Sequence, residues 1–269
     1  MHTFFPELIF LPFIGFFMGI LSMLYGIGGG VIITPIAYLF LRRLGFASDT
    51  AMHIAIGTSM LCVLGNTISA SYSHYRQGNI LWNSIKPLIP FVILGALAGV
   101  LLAHILSGLA LKNVFIVFLL IILVHSLVNK NFKYPWKIND YKTPTRLSSN
   151  LAGLIIGTVS VLVGIGGGTL IVPYLRYYKM PLLNATAAAT TITPLLALTG
   201  SIGYLLTPLV KTPPYTVGSI NLPIFACVFI GSWFGVQFAR KISPQFNEIW
   251  RARSFPILIA GIIILMLFA

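Results

Sequence analysis

Acidic residues are almost absent: Asp and Glu together number 4 in 269 residues, and all charged residues make up 8 % of the chain. Ordinary soluble domains carry about 25 % charged residues. A chain this poor in charge cannot cover a water-facing surface, which excludes a soluble enzyme, a nucleic-acid-binding domain and a disordered protein. Cysteine is scarce as well. Cys62 and Cys227 stand alone in apolar stretches, without the spacing of a zinc site or a disulfide framework. They are expected to pack as small hydrophobes, with no metal bound. Paired catalytic carboxylates, a zinc signature and a GxSxG elbow are all missing, and the glycine-rich stretches lack the spacing of a P-loop or a dinucleotide fingerprint. The expectation is therefore no catalytic residue and no cofactor.

What fills the chain instead is apolar: 57 % of residues are hydrophobic and the mean hydropathy is +0.95. A bilayer core needs about 20 apolar residues per helix. Segments of that kind lie at 8–41, 50–73, 87–108, 112–128, 150–179, 184–206, 219–239 and 254–269. The expected fold is an all-α polytopic membrane protein with about eight hydrophobic segments. Lys and Arg number 17, for a net charge of +13. They fall between the apolar runs, where they set orientation against the bilayer rather than contact nucleic acid. The N-terminus, MHTFFPELIF, lacks the basic region of a signal peptide, so its apolar stretch should be retained.

The longest polar stretch, NKNFKYPWKINDYKTPTRLS at 129–148, is basic and too short to fold alone. It divides the chain into a membrane repeat at 1–128 and a second at 149–269. The division is visible in the residues, since GIGGGVIITP at 26–35 and GIGGGTLIVP at 164–173 share seven of ten positions at an offset of 138. A looser match places Thr58 on Thr193 and Gly65 on Gly200. Each repeat thus opens with a glycine-broken segment and continues through three apolar ones. Four glycines within five residues leave little helical preference, because each costs about 1 kcal/mol against alanine. Non-helical backbone at membrane depth must be buried in protein or reached by water. Such glycines serve either tight helix packing or a discontinuous binding site. Two copies at matching places, each with a proline five residues on, favour the site.

Charge chooses between two topologies. If all eight segments cross and the linker lies inside, eight basic residues fall inside and nine outside. If each glycine-broken segment instead re-enters and returns, thirteen fall inside and only Arg42, Arg43, Lys112 and Lys211 stay outside. The second split is what the positive-inside rule expects. Each repeat then crosses three times, so the two are inverted. Against it stands residues 8–25, which are long enough to span alone.

No acid lies deep in an apolar segment: Glu7, Asp49, Asp140 and Glu248 sit at edges or in loops. Sodium sites and proton relays commonly use intramembrane carboxylates, so a cation cargo is disfavoured. Hydroxyls and amides are plentiful instead, among them Thr34, Thr58, Ser59, Asn66, Thr169, Thr190 and Thr193. Half-helices starting after each glycine run would present unpaired N–H groups with partial positive charge, a ready site for an anion. For any single threonine the alternative is a bond back to its own helix. His53 is either a packed histidine or a proton relay, and its counterpart in the second repeat is an alanine. His104 and His125 read as interfacial.

On its two GIGGG…P motifs, its duplicated halves and its basic central linker, the chain resembles the sulfite exporter TauE/SafE family over nearly its whole length. The resemblance implies a multi-pass permease of the bacterial inner membrane, with the linker cytoplasmic. It also implies a cargo of sulfite, a sulfonate or a related sulfur-containing or organic anion, moved by secondary transport. The core that it implies by motif is Gly26, Gly28, Gly29, Gly30 and Pro35, with Gly164, Gly166, Gly167, Gly168 and Pro173. The motifs diverge after the proline, where the second reads PYL and the first PIA. The expected partners are a small anion, a coupling proton or ion, and the lipid bilayer, with no nucleic acid. The residues leave oligomeric state, transport direction and coupling ion open. An organic-acid permease and a non-transporting membrane scaffold are the competing readings.

Overall fold

The computed structural model describes residues 9–25, 29–128, 136–207, 209, 212–242 and 248–268. Its helices are α1 (Leu11–Tyr25), α2 (Gly30–Arg43), α3 (Ser48–Arg76), α4 (Trp82–Ile85), α5 (Leu88–Ile105), α6 (Gly108–Val128), α7 (Arg146–Val163), α8 (Gly168–Tyr177), α9 (Leu182–Leu205), α10 (Leu222–Ile242) and α11 (Glu248–Leu267). One two-stranded antiparallel hairpin, β1 (Thr216–Val217) and β2 (Ile220–Asn221), precedes α10. Taking α4 and α5 together, six stretches among the described residues are long and apolar enough to cross a bilayer: Ser48–Arg76, Trp82–Ile105, Gly108–Val128, Arg146–Val163, Leu182–Leu205 and Leu222–Ala239. Large apolar side chains such as Phe13, Leu101, Ile121, Ile155 and Phe234 face outward. In water they would form a belt that no soluble protein tolerates. The chain is an all-α, multi-pass membrane protein.

The sequence segments 8–41 and 150–179 are each two helices, divided at the glycines. The second pair doubles back on itself. Ser148, at the start of α7, places its Oγ 2.7 Å from the Tyr178 hydroxyl and 3.2 Å from that of Tyr174, at the end of α8. The Lys142 N–H also donates to the Tyr178 carbonyl at 3.1 Å, and the Lys179 ammonium lies 5.0 Å from the centre of the Trp136 ring. The close of α8 and the linker therefore share one end of the molecule. Arg76, at the end of α3, reaches the same end, where the Asn184 amide donates to the Asn79 carbonyl at 2.9 Å.

The first pair runs the opposite way. α10 follows α3 toward the linker end, with Asn221 beside Thr58 and Ser232 beside Asn66. α1 lies along α10 in the same direction, Pro12 against Gly231 and Phe16 against Gly235. α2 then returns antiparallel to α3, so that the Tyr38 hydroxyl meets Ser48 Oγ at 2.9 Å at the far end. Lys112 is there too, 5.4 Å from the Tyr38 ring centre.

What locks the halves together is a set of glycines spaced four apart: Gly15 and Gly19 on α1, Gly95 and Gly99 on α5, Gly153 and Gly157 on α7, Gly231 and Gly235 on α10. α5 of the first half packs along α7 of the second, and α10 of the second along α1 of the first. A Cβ on Gly15 would stand 2.5 Å from the Val228 carbonyl oxygen, and one on Gly99 would stand 2.7 Å from that of Thr158. On Gly157 and Gly231 it would run into the carbonyls of Val92 and Pro12. In lipid the hydrophobic effect cannot drive helices together, so close backbone approach between small residues does.

Candidate functional site

Each break is built by local chain chemistry. α7 stops where Gly164 takes a left-handed conformation (φ +71°), letting the Ile165 N–H turn back to the Ser160 carbonyl at 2.9 Å. α8 restarts with Gly167 as its cap, whose carbonyl accepts from the Ile171 N–H at 2.8 Å. In the first repeat Gly29 caps α2 with φ +85°, and its carbonyl accepts from the Ile33 N–H at 3.0 Å. The N–H groups of Gly30, Val31, Gly168 and Thr169 fall in the first turns of α2 and α8, ahead of any intrahelical acceptor. Pro35 and Pro173 stand inside these helices, at their sixth residue. Gly26 and Gly28 lie outside the described residues.

The two breaks meet. The Gly164 carbonyl, freed by the end of α7, accepts from Ser59 Oγ at 2.9 Å and from Thr34 Oγ1 at 3.4 Å. A Cβ on Gly30 would lie 2.5 Å from that carbonyl oxygen and 2.9 Å from Ile165 Cα. Gly166 faces Val63 of α3 and Thr193 of α9, where an added Cβ would stand 2.7 and 2.8 Å from their methyl carbons. Thr34, Thr58, Ser59 and Thr193 are all buried, as are Gly29, Gly30 and residues 164–169.

The remaining sequence candidates divide by their partners. Thr190 donates to the Thr186 and Ala187 carbonyls, both at 3.0 Å, and Thr193 donates to Ala189 at 2.8 Å, each within α9. Thr58, which the repeat matches to Thr193, instead accepts from the Asn221 N–H at 3.0 Å. That bond pins the β1–β2 hairpin onto α3. Ser219 N–H donates to the Tyr204 carbonyl at 2.8 Å, and its carbonyl packs on Gly57. Ser219, Ile220 and Asn221 are fully buried, so this loop reaches inward from the far end. Thr169 Oγ1 is buried with no hydrogen-bond partner among the described residues.

His53 sits away from the breaks. Its Nδ1 is 2.9 Å from the Asp49 carbonyl and its Nε2 is 3.1 Å from the Ala103 carbonyl, joining α3 to the end of α5. One turn earlier, the Asp49 carboxylate accepts from the Gly108 N–H at the start of α6. Together they brace the α5–α6 turn. Neither role was legible locally, since both partners are more than 45 residues away. His104 bridges the Val100 carbonyl and Thr207 Oγ1, both at 2.8 Å. Among the described residues no group of three His, Cys, Asp or Glu is placed to hold a metal.

The model of the sulfite exporter TauE/SafE family matches residues 11–268. A probable membrane transporter protein of Methanocaldococcus jannaschii is 31 % identical over 249 residues, covering 90 % of this chain and 91 % of its own. One from Haemophilus influenzae is 28 % identical over 240 residues, covering 85 % and 88 %. No solved structure matches the chain.

Proposed function

Because the chain belongs to the sulfite exporter TauE/SafE family, we propose that it is a secondary transporter of a small anion, sulfite or another sulfur oxyanion or sulfonate. The reading places it in the bacterial inner membrane, working by alternating access between two inverted repeats. The observation that carries it is that two helices, α2 and α8, begin at one junction, the start of α2 closing on Gly164 and Ile165 just ahead of α8. Their first N–H groups offer partial positive charge without a fixed Lys or Arg. Such a site holds an oxyanion and also lets it go. In this reading Gly29, Gly30, Gly167, Gly168 and Thr169 contact the anion, while Thr34, Ser59 and Gly164 hold the two breaks in register. The hairpin pinned to Thr58 is the barrier on the far side. His53 acts as a brace between helices.

Flux in proteoliposomes tests the substrate. Sulfite or a sulfonate should move and should compete with each other, whereas a dicarboxylate should not. Movement of the dicarboxylate alone would make the protein an organic-acid permease, and no flux of any anion would favour a scaffold.

Orientation follows from charge. Arg176 and Lys179 lie at the linker end with Lys137, Lys142 and Arg146, opposite Arg42, Arg43 and Lys112. We therefore place the linker end in the cytoplasm. In a background lacking Cys62 and Cys227, an impermeant thiol reagent applied to whole cells should label Arg42→Cys and spare Lys179→Cys. Labelling of Lys179→Cys from outside would reverse the orientation, and labelling of both would contradict the doubled-back second segment.

A further inference from the structure

Buried polar atoms in proteins almost always find partners, because an unpaired one forfeits its hydration for nothing. Four such atoms, unpartnered among the described residues, lie in the helices around the breaks: Asn66 Nδ2, Ser160 Oγ, Thr169 Oγ1 and Ser201 Oγ. Two of the four are equivalents. The repeat that puts Gly65 on Gly200 puts Asn66 on Ser201. The same defect therefore recurs at one position of a duplicated sequence, although the residue type differs.

The Asn66 amide deserves separate accounting. Its oxygen is 3.2 Å from Ser232 Oγ, which is also 3.0 Å from the Phe229 carbonyl. One hydroxyl proton serves only one acceptor. Turning the amide over would pair its nitrogen with Ser232 and leave its oxygen alone. In either orientation one end of Asn66 has no partner among the described residues, and at least one of its N–H bonds is free of them. The Ser201 hydroxyl is likewise a donor.

The two positions flank the junction on opposite sides. Gly166, Val63 and Thr193 form a layer at the breaks. From Val63, Asn66 is one turn along α3 toward the linker end. From Thr193, Ser201 is two turns along α9 toward the far end, where the neighbouring Gly200 faces Met60, one turn before Val63.

We propose that Asn66 and Ser201 are paired hydrogen-bonding stations for the transported oxyanion, one on each side of the glycine junction. The inference rests on the transport reading above. It adds that the anion is handed between a linker-side amide and a far-side hydroxyl, with the helix starts between them. Both stations donate to acceptor oxygens, so they suit sulfite-like oxyanions. They give no reason to prefer a cation.

Thermal stability of purified wild type, Asn66→Leu and Ser201→Ala, in chloride and across a sulfite titration, tests this. Ser232 keeps the Phe229 carbonyl when Asn66 is replaced, so neither variant orphans a neighbour. In chloride both should melt at or above wild type, because each loses a buried unpaired group. With sulfite the concentration giving half of the stabilisation should rise about tenfold for each, the cost of one hydrogen bond to a charged ligand. Unchanged sulfite dependence in both variants, with a responsive wild type, overturns the stations alone. A wild type that responds to neither sulfite nor a sulfonate overturns the reading beneath them.

Discussion

Alanine at Gly30 should lower the melting temperature by roughly 5–10 °C and remove the anion response with it. The new methyl would stand 2.5 Å from the Gly164 carbonyl oxygen and 2.9 Å from Ile165 Cα. Both are backbone atoms, so no side chain can swing away. Overpacking of that kind costs about 1–3 kcal/mol. A loss near the top of that range corresponds to roughly 2–4 °C for each kcal/mol in a chain of this size. The same methyl would push Gly164 off Ser59 and Thr34 and so open the junction between the start of α2 and the break ahead of α8. Differential scanning fluorimetry in chloride and in sulfite reads both effects. A variant that melts with wild type and keeps its sulfite response would mean that the breaks do not touch as described.

The reciprocal glycine interfaces give the second large effect. Gly157→Ala on α7 and Gly231→Ala on α10 should each destabilise by about 1–3 kcal/mol, since both methyls meet carbonyls of the facing helix. The sign is informative because alanine is the better helix former by about 1 kcal/mol. Gly261 on α11 supplies the control: a Cβ there meets nothing within 4 Å. Gly261→Ala should be neutral or mildly stabilising. Equal behaviour of all three variants in a thermal or detergent unfolding assay would remove close packing as what joins the two halves.

The breaks were the most legible part of the sequence, for a local reason. Runs of glycine cannot sustain a helix anywhere, so α2 begins at Gly30 and α8 at Gly168, as the motifs suggest. The doubled-back second segment was legible only through charge: Arg176 and Lys179 belong with the linker, where Lys142 meets Tyr178. Other features depend on partners distant in sequence. The GFFMG, GALAG, GLIIG and GSWFG stretches display four-residue spacing openly. Nothing local says that α1 pairs with α10 or α5 with α7. The Thr58–Thr193 match does not extend to their hydrogen bonds. Equivalent positions hold different bonds, because Thr58 faces a hairpin that the first repeat replaces with the short helix α4. That hairpin, in TPPYTVGSIN at 212–221, reads from sequence as a plain loop.

In the transport reading proposed above, an anion rests on the first N–H groups of α2 and α8. Amide hydrogen exchange on the purified protein, in saturating sulfite against chloride, addresses those N–H groups directly. Exchange should slow in peptides covering 29–34 and 167–172 together, with the α5 stretch at 94–102 unchanged. Sulfite that stabilises the protein without slowing exchange at either break would place the anion elsewhere and contradict the account.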